Sequence, residues 1–290
     1  MVAKLIIIAT PIGNLEDITL RAVRVLGELH ALACEDTRHT RILFEAHGIS
    51  SPRIILSYRE RNEAQAESRV IGLLKQGLSV GVCSDAGYPG ISDAGYRLIS
   101  RAVQEGFEIE VIPGAGAVEP ALLSSGLPTS SFTFKGFPPR KPGVRRRFLG
   151  QDKDQPHTLV FYESPFRVSA LLRDALEVYG DRRAAVCIEL TKKFERVIRG
   201  TLSELNAKFK DQAVRGEVTV VIAGNHPKFT AAAEAEPGTA DDDELDDEEP
   251  GAVPDDEVAS DGEAVPDDDD DETPGDETGE DEIDTHPGRP

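Results

Sequence analysis

Ser84-Asp85-Ala86-Gly87-Tyr88-Pro89-Gly90-Ile91-Ser92-Asp93-Ala94-Gly95 joins a compact apolar run, Leu78–Cys83, to a segment of helical spacing, Tyr96–Val103. The run reads as a buried strand, so the stretch is a strand-to-helix loop carrying three glycines, one proline, two aspartates and two serines. Glycine permits positive φ and lets a backbone approach a ligand closely. In an open parallel sheet, ligands lie beyond the carboxyl ends of the strands. A carboxylate there, such as Asp85, can accept a hydrogen bond from a ligand hydroxyl or amine. The plainer alternative is a tight turn in which Asp93 caps the following helix. The loop exceeds the about two to five residues a simple turn needs, which favours ligand binding.

The same alternation extends on either side. Strands are predicted at Lys4–Ala9, Ala31–Cys34, Arg53–Leu56 and Glu108–Ile112. Helices are predicted at Leu20–Leu29, Arg41–Ala46, Glu63–Lys75 and Ala117–Leu123, the first capped by Thr19 with an apolar face of Leu20, Val23, Leu26 and Gly27. This is an α/β pattern with a largely parallel sheet. Polar or glycine-rich clusters follow several strands: Thr10–Asp17, Glu35–Thr40, Ser84–Gly95 and Pro113–Ala117. Parallel strands share a direction, so these clusters converge on one sheet edge.

Ser125–Thr129 punctuates the chain and divides an N-terminal domain, residues 1–125, from a C-terminal one, residues 126–226. The second is predicted to hold strands at Phe132–Phe137, Thr158–Tyr162, Ala184–Leu190, Glu195–Gly200 and Gly216–Gly224. Helices are predicted from Glu163–Arg167 to Tyr179 and at Ser203–Phe209. Paired strands with few crossovers imply a mixed sheet. Between the first two strands lies a basic loop in which Arg140, Lys141, Arg145, Arg146 and Arg147 place five positive charges in eight residues. Such density suits phosphates, which reward bidentate guanidinium contacts.

Charge divides the chain again. Residues 231–290 hold 27 of the 53 acids and, of the 32 bases, only Arg289, which leaves 26 acids against 31 bases in residues 1–230. The front is mildly basic and able to meet a polyanion. The segment from 227 onward is rich in Asp, Glu, Pro, Gly, Ala and Thr, cannot bury enough apolar surface to offset chain entropy, and is expected to be disordered. Cys34, Cys83 and Cys187 lie far apart in apolar runs, as buried thiols of a reducing compartment do. Leu5–Ala9, the longest apolar run at the start, is too short for a signal peptide or a membrane span, so a cytoplasmic protein is expected.

Several chemistries are excluded by pattern. The chain has no G-x-x-x-x-G-K-[ST], no G-x-G-x-x-G after the first strand and no H-E-x-x-H, and Gly90–Ala94 lacks the final glycine of a serine-hydrolase elbow. No metal site is expected. A cleft of glycine-rich loops and carboxylates remains, beside a basic segment.

Six ordered motifs carry a resemblance over about residues 3–225: Thr10–Thr19, Glu35–Thr40, Ser84–Gly95, Phe161–Arg167, Glu189–Lys192 and Gly216-Glu217. Together they resemble the bacterial ribosomal RNA small-subunit methyltransferase I family, within the tetrapyrrole-methylase fold. The resemblance implies two α/β domains with S-adenosylmethionine in the cleft between them, usually a homodimer, and 2′-O-methylation of a cytidine ribose in the decoding region of 16S rRNA. It places the cofactor against Pro11, Gly13, Asn14, Ser84, Asp85, Ala86, Gly87, Ile91, Ala115, Gly116 and Ala117, with Tyr162, Leu190 and Thr219 from the second domain. Bases or orienting groups for the hydroxyl are Glu35, Asp36, Asp85, Glu163 and Glu189, and Lys192 and Arg38 could hold the phosphate; no single base stands out. The chain departs from the family in carrying Tyr88 where threonine is usual, and in replacing a basic helical segment after the last strand by the acidic tail. Two other readings stay open: a methyltransferase of the same fold acting on a corrin or related tetrapyrrole, which the basic run and the low aromatic content disfavour, and a non-enzymatic ribosome-binding protein.

Overall fold

The computed structural model describes residues 3–210 and 214–229 of the 290-residue chain. Five parallel strands form the first sheet: β1 (Lys4–Ile8), β2 (Ala31–Cys34), β3 (Ile54–Ser57), β4 (Val80–Cys83) and β5 (Glu108–Ile112), in the order β3-β2-β4-β1-β5. Helices α1 (Leu20–Glu28), α2 (Thr37–His47), α3 (Glu63–Lys75) and α4 (Tyr96–Gln104) cover it, and α5 (Val118–Ser125) follows β5. Side chains alternate across a strand, and β1 shows the consequence. Leu5 and Ile7 join Val70, Ile71, Leu74 and Leu98 of α3 and α4 on one face, while Ile6 and Ile8 join Val25, Leu26, Leu43 and Phe44 of α1 and α2 on the other. A sheet buried on both faces needs apolar residues at successive positions, which is why these strands read as unbroken runs.

The second sheet is mixed, as predicted. It comprises β6 (Phe132–Phe134), β7 (Thr158–Glu163), β8 (Arg183–Ile188), β9 (Arg196–Thr201) and β10 (Val218–Ile222), in the order β6-β7-β10-β8-β9. Only the β6–β7 pair is parallel. Helices α6 (Pro142–Gly150), α7 (Val168–Tyr179) and α8 (Leu202–Phe209) complete this half. Phe161, Val186 and Val220 point to a core shared with α7 and α8. Val160, Ala185, Cys187 and Val221 point the other way and meet Ile12, Ala121, Leu122 and Leu190. Helix α5 and the loop after β1 therefore rest on the second sheet, and this apolar seam joins the halves.

Four expectations are corrected. Helix α1 buries Ala22, Val25 and Leu26, whereas Leu20, at its first position, is 90% exposed. Helix α2 starts at Thr37 because Asp36 caps it, so Arg38 and His39 lie on its first turn and not in a loop. The basic segment is not a loop from end to end, since Pro142 opens a helix that carries Arg145, Arg146 and Arg147. Pro227–Phe229, expected to be part of the disordered tail, form a 3₁₀ turn whose Phe229 packs on the seam. The acidic tail proper, residues 230–290, lies outside the described residues.

Candidate active site

Three loops from the first sheet are tied together at its carboxyl edge. Thr10 and Gly87 exchange backbone hydrogen bonds of 3.0 Å in both directions, stapling the loop after β1 to the loop after β4. Buried Ser84 donates its hydroxyl to the carbonyls of Ala86 (3.1 Å) and Gly87 (3.3 Å), and its own carbonyl accepts from Thr10 Oγ1. The third tie is Tyr88, whose phenol oxygen accepts from the Gly114 N–H at 3.0 Å and so reaches the loop after β5. The bulk of this residue, in place of threonine, gives it the reach to close one loop on another.

Beyond Tyr88 the backbone turns back sharply. Gly90 N–H donates to the Ala94 carbonyl at 3.1 Å. Gly95 takes a φ of 144° with its Cα so near Gly90 that a Cβ would clash with the Gly90 nitrogen. Ser92 has a φ of 63°, a conformation a non-glycine residue holds only under local constraint. This turn presents Ser92 and Asp93 to the cleft. Asp93 does not cap α4, whose N-cap is Gly95.

The cleft between the halves has a volume of about 360 Å³. Ala86, Gly87, Ile91, Gly116 and Ala117 of the first half and Tyr162, Glu163, Leu190 and Thr219 of the second line it, all of them anticipated. Tyr162 packs edge-on against Phe134 (4.7 Å between ring centroids) and Phe137 (5.7 Å), a rigid aromatic wall. Burial, with Glu119 near, raises the Tyr162 phenol to about 12 and keeps it protonated. Tyr88, Asp93, Glu119, Phe137 and Glu217 also line the cleft and are not among the residues the sequence singles out as cofactor contacts. Asp93 belongs to the glycine-rich loop, where a helix cap is the alternative reading of its spacing. Nothing in the spacing marks Phe137 or Glu119.

The remaining predicted cofactor residues are not among those that line the cleft. Asn14 caps the Leu15–Asp17 turn, its Oδ1 accepting from Glu16 N–H at 3.1 Å. Asp85 is occupied at both oxygens, Oδ1 accepting from Asp36 N–H (2.9 Å) and Oδ2 lying 2.8 Å from His39 Nδ1. Pro11, Gly13, Ser84 and Ala115 do not line the cleft.

The proposed bases are also engaged elsewhere. Asp36 caps α2 and binds Arg38 (2.6 Å) and Arg59 (2.9 Å), and the Arg38 hydrogen bonds hold its carboxyl well below the usual carboxylate range. Glu35 Oε2 accepts from Asp85 N–H at 3.3 Å. Burial opposes ionisation of Glu189, but the Glu217 N–H (2.9 Å) and Lys192 (2.9 Å) hold its pKa below the ordinary value. Glu189 and Thr191 both take positive φ, 56° and 65°, so Glu189–Lys192 is a tightly constrained turn. Glu163 is 2% exposed; its Oε1 pairs with Arg167 at 2.6 Å and its Oε2 accepts no hydrogen bond among the described residues. Burial raises its pKa against the pull of Ser164 N–H and Arg167.

The basic segment resolves into two kinds of residue. Arg140, Lys141 and Arg147 are exposed. Arg145 is a correction: it is 2% exposed and pairs with the fully buried Asp174 of α7 at 2.6 Å, so it pins α6 to α7 and offers nothing to a phosphate. Arg146 leans on Asp174 and Glu177 at 3.6 and 3.4 Å. Arg38 projects into solvent although bound to Asp36.

Residues 4–206 match the family model described as tetrapyrrole (corrin/porphyrin) methylases. The ribosomal RNA small subunit methyltransferase I of Thermotoga maritima is 44% identical over 221 residues, covering 76% of this chain and 98% of that protein. Its counterpart from Halalkalibacterium halodurans is 44% identical over 224 residues, covering 77% of each. Among solved structures, uroporphyrin-III C-methyltransferase from Thermus thermophilus, complexed with S-adenosylhomocysteine, superposes with a TM-score of 0.53 at 19% identity, over 76% of this chain and 97% of that one. That likeness is one of fold.

Proposed function

The chain belongs to the ribosomal RNA small subunit methyltransferase I family of tetrapyrrole methylases, and on that premise we propose that it transfers a methyl group from S-adenosylmethionine to the 2′-hydroxyl of a cytidine ribose in the decoding region of 16S rRNA. It is an S-adenosylmethionine-dependent methyltransferase acting on RNA. The observation that carries the reading is the cleft itself. Its described lining contains Asp93, Glu119, Glu163 and Glu217 but no lysine, arginine or histidine. A donor bearing a sulfonium and an ammonium has net positive charge and fits such a lining. The volume also suits a nucleoside-sized ligand.

S-adenosylmethionine, when bound, supplies a methyl group already activated for in-line displacement. The chain's task is then alignment and proton removal. In this reading backbone groups of the lining residues Ala86, Gly116, Ala117 and Leu190 hold polar groups of the ligand, and Tyr162 and Phe137 form an apolar wall that excludes water. Exposed Arg38, Arg140, Lys141 and Arg147 are the phosphate contacts of this reading, and Lys192 ties Glu189 to the cleft-lining Glu217. The relatives at 44% identity favour RNA over a tetrapyrrole substrate, since the tetrapyrrole enzymes are matched only in fold. A homodimer and cytoplasmic residence complete the proposal; no helix among the described residues is long and apolar enough to cross a membrane.

The test is to incubate the full chain with methyl-labelled S-adenosylmethionine and either assembled small subunits or free 16S rRNA, then map the label. A single 2′-O-methylated cytidine is expected. Label on a base, or none on either RNA while the cofactor binds, would overturn the reading.

A further inference from the structure

A ribose that enters a cleft draws its base out of the stack, and that base needs a new neighbour. Proteins that bind single-stranded RNA meet this need with aromatic rings, set beside cations that take the phosphates. Two phenylalanines stand at this cleft. Phe137 lines it and is half exposed. Phe166 directly follows the lining residues Ser164 and Pro165 and is 91% exposed. Scattered exposed apolar side chains are ordinary. Phe166 is set apart by the backbone that carries it and by its neighbours.

Ser164, Pro165, Phe166 and Arg167 form a turn, closed by the Arg167 N–H on the Ser164 carbonyl at 2.9 Å. Pro165 fixes φ at its second position. Buried Glu163, just before the turn, accepts from Ser164 N–H (2.8 Å) and pairs with Arg167 (2.6 Å), so one carboxylate clasps both ends. Arg167 is also the N-cap of α7, which anchors the far side. The backbone under Phe166 is therefore fixed while its ring stands in water. A partner that covers the ring gains its apolar surface without having to order the loop first.

The same corner carries cations. Tyr162 N–H, near the end of β7, donates to the Gly136 carbonyl at 3.0 Å and so brings the segment from Gly136 to Lys141 alongside. Pro138 and Pro139 stiffen that segment, and exposed Arg140 and Lys141 end it. Arg145 Nη1 donates to the Arg140 carbonyl at 3.2 Å, and its guanidinium is near enough to Glu163 to act on that carboxyl. Arg140 is thus linked through Arg145 to the clasp that holds Phe166. Resting on the reading of the cleft as an RNA methyltransferase site, we propose that the Phe166 ring stacks on a base of the substrate RNA at the cleft mouth, with neighbouring phosphates on Arg140 and Lys141. The ring holds an unstacked nucleotide while its ribose enters, and it takes no part in bond making. The segment recognised is single-stranded or splayed, since a base inside a duplex offers no free face.

The experiment compares the full-length wild type with Phe166→Ala, Phe166→Leu and Phe166→Trp, using 16S rRNA or small subunits as methyl acceptor. Four quantities are read: kcat and KM for RNA, S-adenosylmethionine affinity by calorimetry, mass by sedimentation, and the urea midpoint. Phe166→Ala is expected to raise KM for RNA by about 5–150-fold, with kcat and donor affinity within about threefold of wild type. The midpoint should not move, because the ring is exposed. Phe166→Trp should bring KM back to within about threefold of wild type, whereas Phe166→Leu, apolar but without a π face, should keep most of the loss. Unchanged KM in Phe166→Ala, or full recovery in Phe166→Leu, would overturn the assignment. So would a lower mass in Phe166→Ala, which would make the ring a contact between copies of this chain. Each of these results leaves the parent reading intact. A wild type that methylates neither RNA would overturn the parent reading and the assignment with it.

Discussion

The side chain of Lys192 lies across Gly13. A Cβ at position 13 would overlap the lysine stem, whose Nζ is held beyond it by Glu189 (2.9 Å) and Glu217 (3.0 Å). The two residues come from opposite halves of the chain, so a small residue in the loop after β1 lets a cation of the second half bridge the rim of the cleft. Burial works against the Lys192 charge, but the Glu189 and Glu217 hydrogen bonds outweigh it and raise its pKa.

Gly13→Ala therefore has to expel the lysine stem or shift the loop. Overpacking of this kind costs about 1–3 kcal/mol. The expected outcome is a lower urea midpoint and weaker S-adenosylmethionine binding. In a Lys192→Ala background the same substitution should be nearly neutral, because the obstruction has gone. Additive losses in the double variant would show that the two residues act separately.

Arg145 and Arg147 are two positions apart and should behave in opposite ways. Removing one partner of a buried ion pair strands the other, at a cost of about 3–5 kcal/mol. Arg145→Ala should therefore lower chemical stability sharply, because it removes the one buried cation on Asp174 among the described residues and leaves it only the more exposed Arg146 (3.6 Å) and Arg173 (3.2 Å). Arg147→Ala, at an exposed position, should leave the midpoint unchanged. Replacing Arg140, Lys141 and Arg147 together should weaken RNA binding and flatten its dependence on salt. A destabilised Arg147→Ala, or an unchanged salt slope, would contradict this division.

The contrast shows what the chain's pattern could and could not convey. The parallel sheet was legible because β1, β2 and β4 are buried on both faces and read as unbroken apolar runs between glycine and proline breaks. The mixed sheet was legible from the β-branched residues of Val218–Ile222 and the short gap between β8 and β9. Arg145 was not, because charge density records sign and spacing but not direction; only the helical phase set by Pro142 turns that guanidinium inward onto Asp174. Asp93 stays between two readings for a related reason. An aspartate three residues before a helix resembles a cap, and the positive φ of Ser92 that turns it into the cleft has no composition signature outside glycine.

Glu163 gives a pH prediction. Burial raises its folded pKa above the ordinary glutamate value of 4.5, so the native state binds the proton more tightly than the unfolded chain does. By linkage its contribution to stability is fully present below the ordinary value and is lost as pH rises through the folded one. The neutral isostere in Glu163→Gln lacks that loss. The variant should match wild type near pH 4 and be at least as stable at pH 8, measured by urea unfolding across the range. A variant clearly weaker at pH 8 would mean that the Arg167 pair outweighs burial.

Tyr88 joins two cofactor-side loops through a single atom. Its phenol oxygen accepts from Gly114 N–H at 3.0 Å, and its ring lies against Gly116, which lines the cleft. Tyr88→Phe keeps the ring and removes that acceptor. A net intramolecular hydrogen bond is worth about 0.5–1.5 kcal/mol, so stability should fall by that order and donor affinity by up to about tenfold. Tyr88→Thr removes the ring as well and cannot span to Gly114, so it should lose more than Tyr88→Phe on both counts. Calorimetry of S-adenosylmethionine binding and thermal unfolding of the three proteins check the order. If the tie sets the cleft's shape, affinity falls from tyrosine to phenylalanine to threonine, and added donor, which stabilises the tighter binder more, widens the gaps in apparent stability. Should threonine bind the donor as tightly as tyrosine, the phenol would be a local packing residue and the loop after β5 would hold its position without it.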